Sequence, residues 1–220
     1  MNTTILPVSV LGEASRGDGA ARLRRGRHRD EHGATAGIGL WVFMGVATTL
    51  FALFIVAYVM RMNGGDAVTI ALPWQLWLSS ALLLAGSVTL RQASAAARNA
   101  SLDSARRLFL AGGACAALFL AVQLWAWQTL LAAQVSPSGN PAGSFFYLLT
   151  AMHGLHVAGG LVAWGLTARY VWRNPDPAGG AWRIALCARY WHFLLALWAA
   201  LFATLGWLTP EMVRFLCGTA

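Results

Sequence analysis

No carboxylate stands inside any long apolar stretch of this 220-residue chain. All eight acidic residues, Glu13, Asp18, Asp30, Glu31, Asp66, Asp103, Asp176 and Glu211, fall in polar tails and linkers. Proton pumps and secondary transporters keep an acid at membrane depth for their relay, so this absence argues against ion transport by the chain alone. Charge of either sign is scarce. Charged residues make up 11% of the chain and hydrophobic residues 58%, with a mean hydropathy of +0.57. A soluble domain carries about 25% charged residues, so a soluble globular protein is excluded. Cysteine is rare too: Cys115, Cys187 and Cys217 are far apart and form no CxxC pair. That excludes a disulfide framework and a zinc site of the usual spacing. Cys115 and Cys187 lie in apolar runs and read as small packing residues. Lysine is missing altogether, and all 16 basic residues are arginines.

What is present is five apolar spans, near 36–60, 72–90, 108–133, 144–168 and 184–208. Each approaches the roughly 20 residues that a spanning helix needs. Trp41, Trp74, Trp77, Trp172, Trp182 and Trp207 mark places where apolar runs meet polar linkers, the level that indole rings prefer. The spacing predicts an all-α fold, a polytopic bundle of five transmembrane helices over 35–210. A disordered, Arg-rich cytoplasmic tail (1–34) is expected before it and a periplasmic C-terminal tail (211–220) after it. Pro73 sits at the entrance of the second span, where a missing N–H costs little. VSPSGNPAGS, before the fourth, reads as a turn-rich loop.

The arginines are unevenly placed. Six lie in the N-terminal tail, four between spans two and three (Arg91, Arg98, Arg106 and Arg107), and three between spans four and five (Arg169, Arg173 and Arg183). The opposite side holds Arg61 and Arg214, and Arg189 falls just inside the fifth span. The positive-inside rule then gives an N-in, C-out orientation. It also accounts for the net charge of +8 without nucleic acid as a partner.

The fourth stretch, SFFYLLTAMHGLHVAGGLVAWGLTAR, is the least ordinary. It carries His153 and His156 near its middle, with Gly154, Gly159 and Gly160. Imidazoles gain nothing from lipid, so this helix must face protein. His153 and His156 are three apart and share one helix face, and Gly160 continues the side of His156. Other polar residues at depth include Thr48, Thr49, Ser79, Ser80, Gln123, Gln128, Thr150, Arg189, Tyr190 and His192. Hydroxyls can return to the i−4 carbonyl, and the glutamines suit bonding between helices. Three readings of the histidines are open. They are neutral side chains bonded within a packed bundle, or His156 and His192 ligate a b-type haem, or His153, His156 and His192 hold a metal. Helix rise puts His192 about 13 Å and His156 about 20 Å from the arginine-rich side, which counts against the haem. No cysteine or carboxylate stands near to complete a metal site, and the first reading is preferred.

FFYLLTAMHGLHVAGG together with ARYWHFLLALW resembles subunit III of the haem-copper terminal oxidases, the cytochrome c oxidase type. Phe146, Tyr147, Leu149, Thr150, His153, Gly154, His156, Val157 and Gly160 match the family's fourth-span pattern. Tyr190, Trp191, His192, Phe193 and Trp198 match the last-span pattern, and Gly39 to Phe43 resemble the start of its acid-bearing helix. The likeness runs from about Ala36 to Leu208. There are two departures: the family's Ser-Glu is Val46-Ala47 here, and its last-span Asp is Leu195.

The resemblance implies a five-helix accessory subunit with no catalytic, cofactor-binding or metal-binding residue of its own. Haem and copper would lie in the partner subunits, oxidase subunit I foremost and subunit II. Structural phospholipid would sit between the helices, and cytochrome c or quinol would feed the complex in a bacterial inner membrane. Tyr147, Thr150, His153, Gly154, His156, Gly160, Arg189, Tyr190, Trp191, His192 and Trp198 become the candidates for lipid or subunit contact. A nitric oxide reductase-associated relative and a bis-histidine haem-b electron carrier are the alternatives.

Overall fold

The computed structural model describes residues 35–61, 73–99, 101–134, 141–173 and 177–207. The expected tails at 1–34 and 211–220 lie outside them. Among the described residues all regular structure is helical, in five helices. These are α1 (Thr35–Arg61), α2 (Gln75–Arg98), α3 (Leu102–Ala132), α4 (Pro141–Arg173) and α5 (Pro177–Trp207). The chain divides after Phe43, and the packing described below belongs to the unit that begins at Met44.

α4 and α5 both open on proline, which at a first helical position gives up an N–H that has no intrahelical partner anyway. Four helices are long and apolar enough to cross a membrane by length and composition: Thr35–Arg61, Leu102–Ala132, Gly143–Arg173 and Gly179–Gly206. α2 falls short of that measure because serines, glutamines and Arg91 dilute its leucines. The dilution is one-sided. Gln75, Ser79, Ser87 and Ser94 are buried, whereas Trp77, Leu84 and Val88 are exposed. α2 therefore turns small and polar groups inward, toward α3 and α5. Small inward residues let membrane helices approach closely. A Cβ on Gly86 would stand 3.2 Å from the Cys115 Cβ and 3.3 Å from the Gly112 carbonyl.

The helices outrun the apolar spans. Between spans two and three, α2 continues to Arg98 and α3 already begins at Leu102. Arg91, Arg98, Arg106 and Arg107 are thus carried on helix surfaces, not in a loop. α4 likewise continues to Arg173 and α5 begins before Arg183. Pro141 to Ser144, read as the end of a loop, open α4.

α4 packs on α3 and α5, and α1 reaches it through aromatic contacts. The buried residues of α1, Met44, Ala47, Phe51 and Tyr58, are spaced three, four and seven residues apart and make one stripe. Tyr58 meets Phe145 edge-on at 5.8 Å.

Candidate functional site

The protein that His153 faces is its own bundle. Its side chain is fully buried, set among Trp198 of α5 at 5.1 Å, Phe119 of α3 at 5.7 Å and Phe51 of α1 at 6.5 Å between ring centroids. Each of these rings comes from a different helix, so the histidine sits where four helices converge. Neither ring nitrogen has a hydrogen-bond partner among the described residues.

The surrounding polar groups are committed. Thr150 donates to the Phe146 carbonyl at 2.6 Å and accepts the Trp127 indole N–H at 3.1 Å. The Trp198 indole donates to Ser80 Oγ at 2.8 Å, and Ser80 donates to the Leu76 carbonyl at 2.7 Å. That short relay ties α5 to α2. It also shows why a serine is useful on the inward side of α2: the large indole needs an acceptor when buried.

His156 lies on the neighbouring face. Its Nδ1 is 2.7 Å from the Met152 carbonyl, and its ring meets Phe51 at 5.4 Å. The Tyr190 hydroxyl donates to the His156 carbonyl at 3.1 Å. Gly160, one turn on, makes room for that tyrosine, because a Cβ there would stand 2.9 Å from Tyr190 Cε1. His192 has its Nδ1 2.6 Å from the Ala188 carbonyl and is exposed. Residues two apart on a helix point about 200° apart. His192 therefore leaves α5 on the side away from Tyr190, which is the residue that meets α4 at His156. A haem held between His156 and His192 gains no support from this arrangement. Among the described residues, no three His, Cys, Asp or Glu side chains gather as a metal site.

The candidate residues thus fall into two groups. Thr150, His153, Trp191 and Trp198 are buried within the bundle, with Tyr147 and Tyr190 nearly so. Tyr147 lies beside Trp127 at 5.8 Å. Gly154 is half-buried against Leu120, Gly160 is closed by Tyr190, and His156 is half-buried. Arg189 and His192 are exposed on α5. Of the positions where the resemblance led one to expect acids, Ala47 is buried on the inward stripe of α1 and Leu195 is half-buried.

Sequence reasoning passed over the tightest junction. Gly112 and Gly113 lie back to back on α3, under Leu90 of α2 and Trp164 of α4 respectively. The Trp164 indole donates to the Phe109 carbonyl at 2.9 Å and stacks on the Phe109 ring at 5.8 Å. The Gly-Gly step inside an otherwise apolar span was the available signal. Gly159, by contrast, has open space around it.

No family model matches the chain. It is 35% identical over 127 residues to the "Probable cytochrome c oxidase subunit 3" of Nocardia farcinica, covering 57% of this chain and 62% of that protein. The match thus spans about three fifths of that relative's length. To the "Cytochrome bo(3) ubiquinol oxidase subunit 3" of Pseudomonas aeruginosa it is 27% identical over 184 residues, 80% of this chain and 86% of the relative. The "Cytochrome c oxidase subunit 3" of Thermostichus vulcanus is 26% identical over 193 residues, 83% and 92%. By these matches the chain is similar in sequence to the subunit 3 proteins of cytochrome c and ubiquinol oxidases.

Proposed function

We propose that the chain is the accessory, non-catalytic third subunit of a respiratory terminal oxidase in a bacterial inner membrane. The observation that carries this reading is the breadth of the likeness, which extends over 80% or more of the chain in two oxidase third subunits. The helices supply its physical content. A bundle tied inside by the Trp127–Thr150 and Trp198–Ser80 bonds, and whose outer faces carry Leu53, Leu155, Val162 and Leu166, is a wall for lipid and for neighbouring membrane helices. Redox chemistry, with its haem and copper, belongs to the partner subunits, with subunit I as the main neighbour. This chain stabilises that neighbour, holds phospholipid between helices and bears no catalytic residue.

All five helices span the membrane in this proposal, α2 included. Its 24 residues extend about 36 Å at helical rise, and Trp77, Leu84 and Val88 give it an apolar outer face. The orientation is N-in and C-out, from the arginines at the α2–α3 and α4–α5 ends. Arg106 and Arg183 support an interfacial position for those ends, lying over the rings of Trp172 and Tyr170 at 5.7 and 4.2 Å. Purification through a tag on this chain tests the assignment. Haem-copper subunits and phospholipid should accompany it, and a preparation without any haem protein rejects the reading.

A further inference from the structure

We propose that Gln123 and His153 together bind ordered water inside the bundle, between α3 and α4. Both side chains are almost fully enclosed, at 3% and 0% exposure. Both amide atoms of Gln123 and both ring nitrogens of His153 have no hydrogen-bond partner among the described residues. They are four unpartnered polar atoms, and the rings of Phe51, Phe119 and Trp198 surround the imidazole.

The register of the two helices brings them to one level. Trp127 of α3 bonds Thr150 of α4, and Phe119 of α3 meets the His153 ring. Gln123 lies four residues from each of Phe119 and Trp127, so it shares their face, about 6 Å along the axis from both. It therefore stands opposite the turn from Thr150 to His153.

The neighbours seen around His153 offer it no partner. Phe51 and Phe119 offer rings only. The Trp198 N–H is given to Ser80, and the Thr150 hydroxyl is given to the Phe146 carbonyl. A direct bond between amide and imidazole would use two of the four atoms and strand the rest. Gln123 offers donors and an acceptor, and a neutral imidazole offers one of each. Water can donate twice and accept twice, and buried waters settle where two to four polar partners converge. Unmatched polar groups are especially costly in a membrane, where no bulk water reaches them. The water site would join α3 to α4 at the point where α1 and α5 also meet them. It does not depend on the oxidase assignment.

The protein, purified with whatever subunits accompany it, should be solved at a resolution that shows waters. Density is expected within about 2.7–3.2 Å of both a Gln123 amide atom and a His153 nitrogen. A direct Gln123–His153 contact with no water overturns the proposal, as does an empty junction. Thermal unfolding of Gln123→Leu, His153→Phe and the double variant gives a second measure. Each single change strands the other partner and should lower the midpoint by several degrees. The double variant, which strands nothing, should lose no more than the milder single one. Losses that simply add overturn the shared site.

Discussion

Replacing Gly113 by alanine should unseat α4 from α3. A Cβ at that position falls directly on the six-membered side of the Trp164 indole, and Nε1 would be 2.6 Å from it. The obstacle is a rigid bicyclic ring, so the helices must separate or the indole must swing away. Swinging away breaks its bond to the Phe109 carbonyl and its stack on the Phe109 ring. Overpacking of this kind costs about 1–3 kcal/mol. A stranded indole N–H adds about 1–3 kcal/mol, and a lost ring stack about 0.5–1.5 kcal/mol. Alanine returns about 1 kcal/mol of helix propensity. Because the costs share one cause they do not simply add, and a net loss of about 2–4 kcal/mol is expected. For a chain of this size that is a fall in unfolding midpoint of about 5–15 °C. Gly159→Ala is the control, since nothing lies within 4 Å of the added methyl. It gains the same propensity and should be neutral or slightly stabilising. Helical circular dichroism against temperature, on protein in one detergent, reads both. Equal midpoints for the two variants would refute the close packing of Trp164 over Gly113.

His192→Leu removes an exposed imidazole and should reduce co-purified oxidase subunits without changing the midpoint of this chain. His156→Leu should lower both, because that ring also packs on Phe51; oxidase absorbance per haem stays unchanged in either case. Trp198→Phe keeps a ring beside His153 but deletes the bond to Ser80, and should cost about 1–2 kcal/mol in a denaturant titration. Arg106→Gln removes a donor to the Val171 carbonyl, one of the last four of α4 that lack intrahelical partners. Hydrogen exchange at the C-terminal end of α4 should then quicken, with little change at its centre.

Hydropathy located every helix but measured only part of each. It registers residues that prefer lipid, and a helix does not stop where the lipid does. α2 runs past its predicted end at 90 to Arg98, where alanine and arginine continue a helix readily outside an apolar layer, and α4 runs past 168 to Arg173. The two-histidine motif was visible as a string, and its burial followed from the cost of imidazole in lipid. Which way each ring points was not visible. His153 and His156 differ by about 60° around α4, and only the placement of α1, α3 and α5 decides that one is enclosed and the other half-buried. Gly159 and Gly160 look alike in sequence. One faces open space and the other Tyr190, a difference set wholly by the partner helix.

The division between enclosed and exposed residues bears on how the histidine motif works. Phe51 of α1 lies edge-on to both imidazoles, at 6.5 Å from His153 and 5.4 Å from His156. Two side chains three residues apart on α4 thus grip one ring of α1, while Trp198 closes the far side of His153. The motif is therefore a junction for helices of this chain before it is a surface for any other. The grip is made without the acid that the subunit III resemblance leads one to expect one turn before Phe51. Ala47 is buried there with only 2% exposure. A carboxylate at that point would have to leave water for a stripe otherwise made of Met44, Phe51 and Tyr58, a cost that needs a matched donor to offset it. Alanine removes the need for the donor. The α1–α4 contact then rests on ring packing.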